Sequence, residues 1–303
     1  MTDILIIGGG TAGLTAGIYA ARAGKSATIL EKAATGGQIV YSPMVENYPG
    51  IPGISGAEYS ERLTAQAEAL GVAIEYDEAY AADRTADGFA VTGDMGTYEA
   101  KALILATGTV HRDLGATGEE ELVGCGVSYC AVCDGAFYND RAVAVVGGGN
   151  TALQDALFLA ETCKSVAIVH RRDTFRGEAK LVKQLAARPN VRFVLNSTVT
   201  ALHTEGGELS AITVKDTVTG NETELPVAGV FVAVGQLPQT DAFRTLTETD
   251  DAGYFVAGED CTGTVPGVFV AGDCRAKEVR QLTTAAADGA IAALAACRYV
   301  DGL

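Results

Sequence analysis

Basic residues are scarce in this chain: 22 Lys and Arg stand against 38 Asp and Glu, a formal charge of −16 over 303 residues. That balance repels phosphate backbones and anionic lipid, so it argues against nucleic acid and membrane surfaces as partners. An acidic protein partner would need a local basic patch. No apolar run is long enough to span a bilayer, and Met1-Thr2-Asp3 leads into an apolar strand without a basic segment or cleavage site. The expectation is a cytoplasmic protein. Only three histidines occur, His111, His170 and His203, scattered along the chain, and there is no second Cys-x-x-Cys. A zinc site would lack half its ligands, and no metal is expected. Seven cysteines, an odd number without a leader, read as reduced thiols plus one redox pair, not as a disulfide framework. Low-complexity tracts are absent as well, and 48% hydrophobic with 20% charged residues is a globular composition.

What is present is a repeat. Residues 3–7 read as an apolar strand, followed by Gly8-x-Gly10-x-x-Gly13, a helix over 14–23 and a strand over 26–30 with Glu31 at its end. The same order returns as a strand over 141–146, Gly147-x-Gly149-x-x-Ala152, a helix over 152–161 and a strand over 165–169. Late strands over 102–106, ending in Thr107-Gly108, and over 227–234, ending in Gly235, look equivalent. A strand over 268–271 in the style of the first unit follows the second, so the simplest account is an insertion with crossovers near 112–118 and 240–246. The length fits two nucleotide-sized domains better than three. The expected fold is α/β, with two Rossmann-like nucleotide-binding domains: residues 1–113 with 243–303, and 114–242 inserted between them. The Ala-rich stretch 280–298, with Gly289 inside it, suits a closely packed helix.

Glycines in such loops permit a tight turn and a close backbone approach to a pyrophosphate at a helix N-terminus. Glu31, about 20 residues beyond the first loop, is placed to accept hydrogen bonds from a ribose diol, which suits the adenosine half of FAD or of NAD. In the second unit the equivalent position reads His170-Arg171-Arg172, with Arg176 close by. Guanidinium groups there would attract the 2′-phosphate of NADP, favouring NADPH over NADH. Between the loops lies Cys130-Ala131-Val132-Cys133, followed by Asp134-Gly135. Thiol–disulfide exchange needs two adjacent sulfurs, one to attack and one to resolve the mixed disulfide. Asp134 is close enough to serve as acid or base for the departing thiolate, and its bland alternative is a turn residue before Gly135. A dithiol between two nucleotide loops suggests a flavin disulfide reductase.

Over essentially its whole length the chain resembles the low-molecular-weight bacterial thioredoxin reductases, class II of the pyridine nucleotide-disulfide oxidoreductases. The resemblance is carried by Gly8 to Gly13, Gly36-Gly37-Gln38, residues 45–50, Ala106-Thr107-Gly108, Cys130 to Gly135, Gly147 to Ala152, His170 to Arg176, Gly272-Asp273 and Arg280-Gln281. It implies an NADPH-dependent thioredoxin-disulfide reductase, a homodimer with one FAD per subunit and a thioredoxin-like redoxin as partner. By similarity Gly8, Gly10, Thr11, Ala12, Gly13, Glu31, Gly37, Gln38, Asn47, Thr107, Gly108, Asp273, Arg280, Gln281 and Leu282 would line the FAD site. Gly147, Gly149, Asn150, Thr151, His170, Arg171, Arg172 and Arg176 would hold NADPH. Cys133 would face the flavin, Cys130 would attack the partner disulfide, and a domain rotation would separate the two half-reactions.

Two departures bear on the acceptor, and a third is minor. The family often has an arginine where this chain has Cys125, read here as a small residue filling a loop, with a third redox thiol five residues before Cys130 as the alternative. Two adjacent aromatics are frequent where this chain has Ala136-Phe137. Glutamine replaces a common asparagine in Gly235-Gln236-Leu237-Pro238-Gln239-Thr240, a minor change. The alternative reading is a ferredoxin-dependent flavin thioredoxin reductase or a flavin dithiol oxidase, relatives that tend to lose the basic cluster this chain keeps.

Overall fold

The computed structural model describes every residue except Pro43. The chain forms two compact units, one of residues 1–40, 45–110 and 237–303, the other of 41–44 and 111–236. In chain order the first stretch gives β1 (Thr2–Ile7), α1 (Thr11–Arg22), β2 (Ala27–Glu31), α2 (Gly56–Ala69), β3 (Ala73–Tyr76), β4 (Ala79–Arg84), β5 (Phe89–Gly93), β6 (Thr97–Leu105) and β7 (Thr109–His111). The middle stretch gives β8 (Val127–Ser128), α3 (Ala131–Asp134), β9 (Ala142–Gly147), α4 (Asn150–Leu159), β10 (Ser165–Val169), α5 (Ala179–Ala186), β11 (Val191–Val194), β12 (Ser197–Glu205), β13 (Glu208–Asp216), β14 (Glu222–Pro226), β15 (Gly229–Ala233) and β16 (Gln236–Pro238). The last adds β17 (Val268–Val270) and α6 (Leu282–Asp301).

The first unit has the sheet order β3-β2-β1-β6, with β5 and β4 continuing antiparallel and β17 parallel beside the end of β6. Both faces of β1 are covered, which is why it reads as an unbroken apolar run. Ile4 and Ile6 pack with Leu14, Ala16, Ala292 and Ala296 of α1 and α6. Leu5 and Ile7 point the other way, to Phe89, Phe243 and Phe255. Small side chains let the two helices approach: a Cβ on Gly289 would lie 2.2 Å from the Ala12 carbonyl oxygen.

The second unit repeats the parallel order as β11-β10-β9-β15-β8, and β12, β13 and β14 form a separate antiparallel sheet. Val143 and Val145 pack with Leu153, Ala156 and Leu159 of α4. Ala144 and Val146 face Ile212 and Val214 instead. Mixed α/β architecture with parallel sheets is thus present in both units. Among the described residues no helix is long and apolar enough to cross a membrane.

Helices α1 and α4 begin earlier than their apolar periodicity predicts, at Thr11 and Asn150, because Gly10 and Gly149 are themselves the extended N-cap residues. Helix α6 begins later, at Leu282, after its cap Gln281, whose N–H donates to Thr284 Oγ1 at 3.1 Å. Helix α2 and strands β3 to β5 and β12 to β14 have no counterpart in the sequence reading. One local signal for α2 was there: Ser55 caps it by accepting the Glu58 N–H at 3.1 Å, a Ser-x-x-Glu pattern.

Candidate functional site

In the first unit the loop after β1 contains glycines of two kinds. Gly8 has φ +107, and a Cβ there would lie 2.4 Å from the Ala106 carbonyl oxygen; on Gly13 it would lie 1.9 Å from that of Gly8. Both are required by the chain's own packing. Gly10 is not: its nearest neighbour would be the Gly36 oxygen at 3.8 Å, so the space beside it is free for a ligand. Glu31 closes the turn by accepting the Gly9 N–H at 2.7 Å and the Ala33 N–H at 3.0 Å. A carboxylate has about four lone-pair positions, which leaves acceptor capacity for a ribose.

The strand ends bring further predicted residues to this loop. Thr107 follows β6, and its Cα would be 3.4 Å from a Cβ on Gly8; Gly37 would reach the Gly10 Cα at 3.6 Å, and Gly272 the Ala12 Cβ at 2.8 Å. Thr11 and Ala12 are buried in the first turn of α1. Gln38 donates to the Thr109 carbonyl, and Gly108, at φ +64, accepts the Gln239 N–H at 3.1 Å. Asn47 donates to Gln281 Oε1 at 3.2 Å, and Leu282 packs beside Val45, Ile54 and Tyr59. Arg280 lies 4.1 Å over the Tyr254 ring, and its Nε donates to the Asp273 carbonyl at 3.2 Å.

Asp273 supplies the test of fit for FAD. Its Oδ1 is buried and has no hydrogen-bond partner, and Thr107 Oγ1 is in the same condition. Lys277 Nζ lies 3.8 Å from that carboxylate, beyond hydrogen-bond reach. Burial pushes the Asp273 carboxyl up, against Lys277 and Arg280. Buried polar oxygens lacking partners, in the same unit as a glycine with open space, fit a hydroxyl-rich ligand chain.

A cluster that sequence reading missed holds this loop. Asp288, buried on α6, accepts from the Gly272 N–H at 3.0 Å, Arg275 Nε at 3.1 Å, Arg275 Nη2 at 2.9 Å and Lys277 Nζ at 3.0 Å. Burial alone would push the Asp288 carboxyl up, yet bonds from Arg275 and Lys277 outweigh it and hold it low. A charge inside an otherwise Ala-rich helix was the available signal.

In the second unit the glycines divide in the same way. A Cβ on Gly147, at φ +156, would lie 2.4 Å from the Ala233 carbonyl oxygen, whereas Gly149 has nothing within 4 Å. Asn150 and Glu178 exchange hydrogen bonds, with Glu178 N donating to Asn150 Oδ1 at 2.8 Å; Thr151 is exposed. His170 does not join the exposed arginines. It is buried, 2.2 Å from where a Gly148 Cβ would be, stacked on Phe175 with Nε2 3.1 Å from the Thr174 carbonyl. Burial first, and then the nearby arginines, push its pKa down. Arg171, Arg172 and Arg176 are exposed, and the Arg176 N–H donates to the Gly148 carbonyl at 2.8 Å. Three exposed cations beside an open glycine fit an anionic nucleotide.

The dithiol also belongs to this unit. Cys130 and Cys133 form a disulfide, with their Cα atoms 5.3 Å apart. Cys130 caps the short α3, its Sγ accepting the Cys133 N–H at 3.2 Å, a donor suited to a thiolate. Asp134, in the same turn, accepts from Ser128 Oγ at 2.6 Å, and burial pushes its carboxyl up. Val132, Phe137 and Phe158 stand exposed nearby, at 48%, 43% and 46%. Cys163, Cys261, Cys274 and Cys297 are buried free thiols. Cys125 is free and exposed, in the turn before β8, where its N–H donates to the Leu122 carbonyl at 2.9 Å.

Residues 2–289 match the Pyridine nucleotide-disulphide oxidoreductase family. A thioredoxin reductase of Listeria monocytogenes is 43% identical over 301 residues, covering 99% of this chain and 94% of that one. The crystal structure of thioredoxin reductase from Streptococcus pyogenes superposes with a TM-score of 0.94 at 39% identity, covering 100% of this chain and 99% of that one. Thioredoxin reductase from Giardia duodenalis gives a TM-score of 0.92 at 35% identity, covering 99% of each chain. With the disulfide and both nucleotide loops in place, the chain belongs to the pyridine nucleotide-disulphide oxidoreductase family, in the group that contains these thioredoxin reductases.

Proposed function

We propose that this protein is an FAD-containing reductase that uses NADPH to reduce the disulfide of a thioredoxin-like protein. The observation that carries the reading is the Cys130–Cys133 disulfide with Asp134 in the same helical turn, in a chain whose two nucleotide loops each leave one glycine open. FAD would be held by the first unit, through Gly8, Gly10, Gly13, Glu31, Gln38, Asn47, Asp273 and Gln281. NADPH would be held by the second unit, through Gly149, Asn150, Thr151, Arg171, Arg172 and Arg176, with His170 backing the loop. When bound, the two cofactors supply hydride transfer and deliver an electron pair to the disulfide.

The chain's own residues then complete the exchange. Cys130, as thiolate, attacks one sulfur of the partner disulfide, forming a mixed disulfide while the other partner sulfur leaves and takes a proton from the Asp134 carboxyl. Cys133 gives up its proton and attacks Cys130 Sγ, restoring the internal disulfide; the second partner sulfur leaves and takes up that proton. The partner gains two electrons and two protons. Val132, Phe137 and Phe158 offer apolar contact around the sulfurs, in place of the aromatic pair usual in the resembled family. A homodimer, a cytoplasmic location and rotation between the half-reactions belong to the same reading.

An anaerobic titration of the yellow protein with NADPH tests it. About two equivalents per flavin should be needed, because disulfide and flavin each accept an electron pair. Cys133→Ser should bleach with about one equivalent and reduce no protein disulfide. A flavin left oxidised by NADPH but reduced by another donor would sink this reading in favour of the ferredoxin or oxidase alternative.

A further inference from the structure

We infer that Ser128 is a positioning residue of the dithiol site, its one hydroxyl aiming the Asp134 carboxylate while fixing the backbone at Cys130. The inference rests on the reading of Asp134 as proton donor and acceptor in disulfide exchange. Ser128 is buried, at 4% exposure, at the end of β8, where parallel pairing places it beside Phe231 of β15. Its oxygen lies 2.6 Å from Asp134 Oδ2 and 3.3 Å from the Cys130 carbonyl. The hydroxyl has a single proton, and the shorter, charge-assisted bond to the carboxylate takes it. The same oxygen accepts the Cys130 N–H at 3.1 Å. One buried atom therefore connects the acid–base group to the attacking cysteine.

The surroundings leave this work to Ser128. Ser42, in the 41–44 segment, is the other donor to Asp134, at 3.4 Å. Burial pushes the Asp134 carboxyl up, Ser128 and then Ser42 pull it back, and no cation pairs with it among the described residues. Cys130 and Cys133 are joined and do not titrate; the titratable neighbour coupled to Asp134 is Tyr138 on the following turn, and Asp155 of α4, the helix packed against α3, does not act on it. Tyr138 is raised by burial and in part by the Asp134 charge; Arg141, Cys125 and Glu208 act on that phenol. Because Ser128 donates to the ionised carboxylate, it favours that form and keeps the proton mobile. Without it, Asp134 would hold its proton to higher pH and turn freely, and the Cys130 N–H would lose its acceptor.

The test compares Ser128→Ala and Ser128→Thr with the native chain, FAD bound. Asp134 is titrated directly by 13C NMR of labelled aspartate in the oxidised protein, assigned with Asp134→Asn. The midpoint should rise by about one unit in Ser128→Ala, the order of one charge-assisted hydrogen bond, and return in Ser128→Thr. An unmoved midpoint overturns the inference. This readout uses no electron donor, so it stands even if NADPH proves not to reduce the flavin, a failure that would count against the proposed function alone. Turnover on oxidised bacterial thioredoxin should fall about tenfold in Ser128→Ala, with the pH limb set by Asp134 displaced upward and NADPH bleaching of the flavin unchanged. A uniform loss without displacement, or one that threonine does not restore, would mark Ser128 as merely structural.

Discussion

The two nucleotide loops share a backbone plan and differ at the end of the following strand. In each, the outer glycines are demanded by the chain itself: Gly8 and Gly13 in the first unit, Gly147 in the second, would drive a Cβ into backbone oxygen. In each, the middle glycine, Gly10 or Gly149, meets nothing closer than 3.8 Å. Folding and ligand approach are thus separable within one motif. At the strand end, Glu31 binds its loop through the Gly9 N–H, whereas His170 packs its ring over Gly148 and leaves the following arginines outside. The first arrangement suits a neutral ribose and the second an extra phosphate.

The largest effects should come from confusing the two kinds of glycine. A methyl on Gly13 would lie 1.9 Å from a backbone oxygen that cannot move without breaking the turn. Gly13→Ala should therefore cost more than about 3 kcal/mol and leave the first unit unfolded or devoid of flavin, as urea denaturation would show. Gly149→Ala should fold with a native melting temperature and show its loss only as a raised KM for NADPH. If both variants fold alike, the division between packing glycine and ligand glycine is wrong.

How much of this was legible beforehand depends on the range of the interactions. Strand–glycine–helix units and the dithiol are local patterns, and the strand over Ser165–Val169 agrees with its expected bounds. Helix starts shifted because apolar periodicity marks the first buried side chain, while a glycine cap leaves no such mark. The Asp288 cluster could not be read as a cluster, since Asp288 meets Arg275 and Lys277 only after α6 folds back on the loop. Ser128 is two residues from Cys130, yet nothing in the sequence says that its hydroxyl reaches Asp134. Adjacency in sequence groups His170 with the arginines, but His170 is buried at the strand end while Arg171, Arg172 and Arg176 are exposed.

A smaller effect should follow from erasing the difference at the strand end. Arg171→Ala with Arg172→Ala removes two of the exposed cations while His170 still supports the loop. The KM for NADPH should rise about tenfold to a hundredfold, the loss of charged hydrogen bonds to one phosphate. The KM for NADH should hardly move, so the ratio of the two measures the phosphate contribution alone. Equal losses for both nucleotides would mean that the arginines shape the loop instead of reading the phosphate.

The smallest effect concerns how each unit treats a carboxylate out of water. Asp288 in the first unit is surrounded by Arg275 and Lys277, which hold its pKa below the ordinary carboxylate value. That contribution to stability is present above the unfolded pKa and is lost as pH falls through the lower folded one. Asp155 in the second unit is the reverse case: half-buried on α4, with no hydrogen bond or ion pair among the described residues, it is pushed up by burial to about 6. A raised carboxyl favours the protonated folded state, so its penalty is absent below about pH 4 and grows as pH rises through about 6. Asp155→Asn should therefore stabilise the second unit by about 1–2 kcal/mol at pH 8 and by almost nothing at pH 4, where the carboxyl is already neutral. Urea midpoints at the two pH values decide it. A gain of equal size at both would show that charge is not the cause, and the contrast with Asp288 would then reduce to packing.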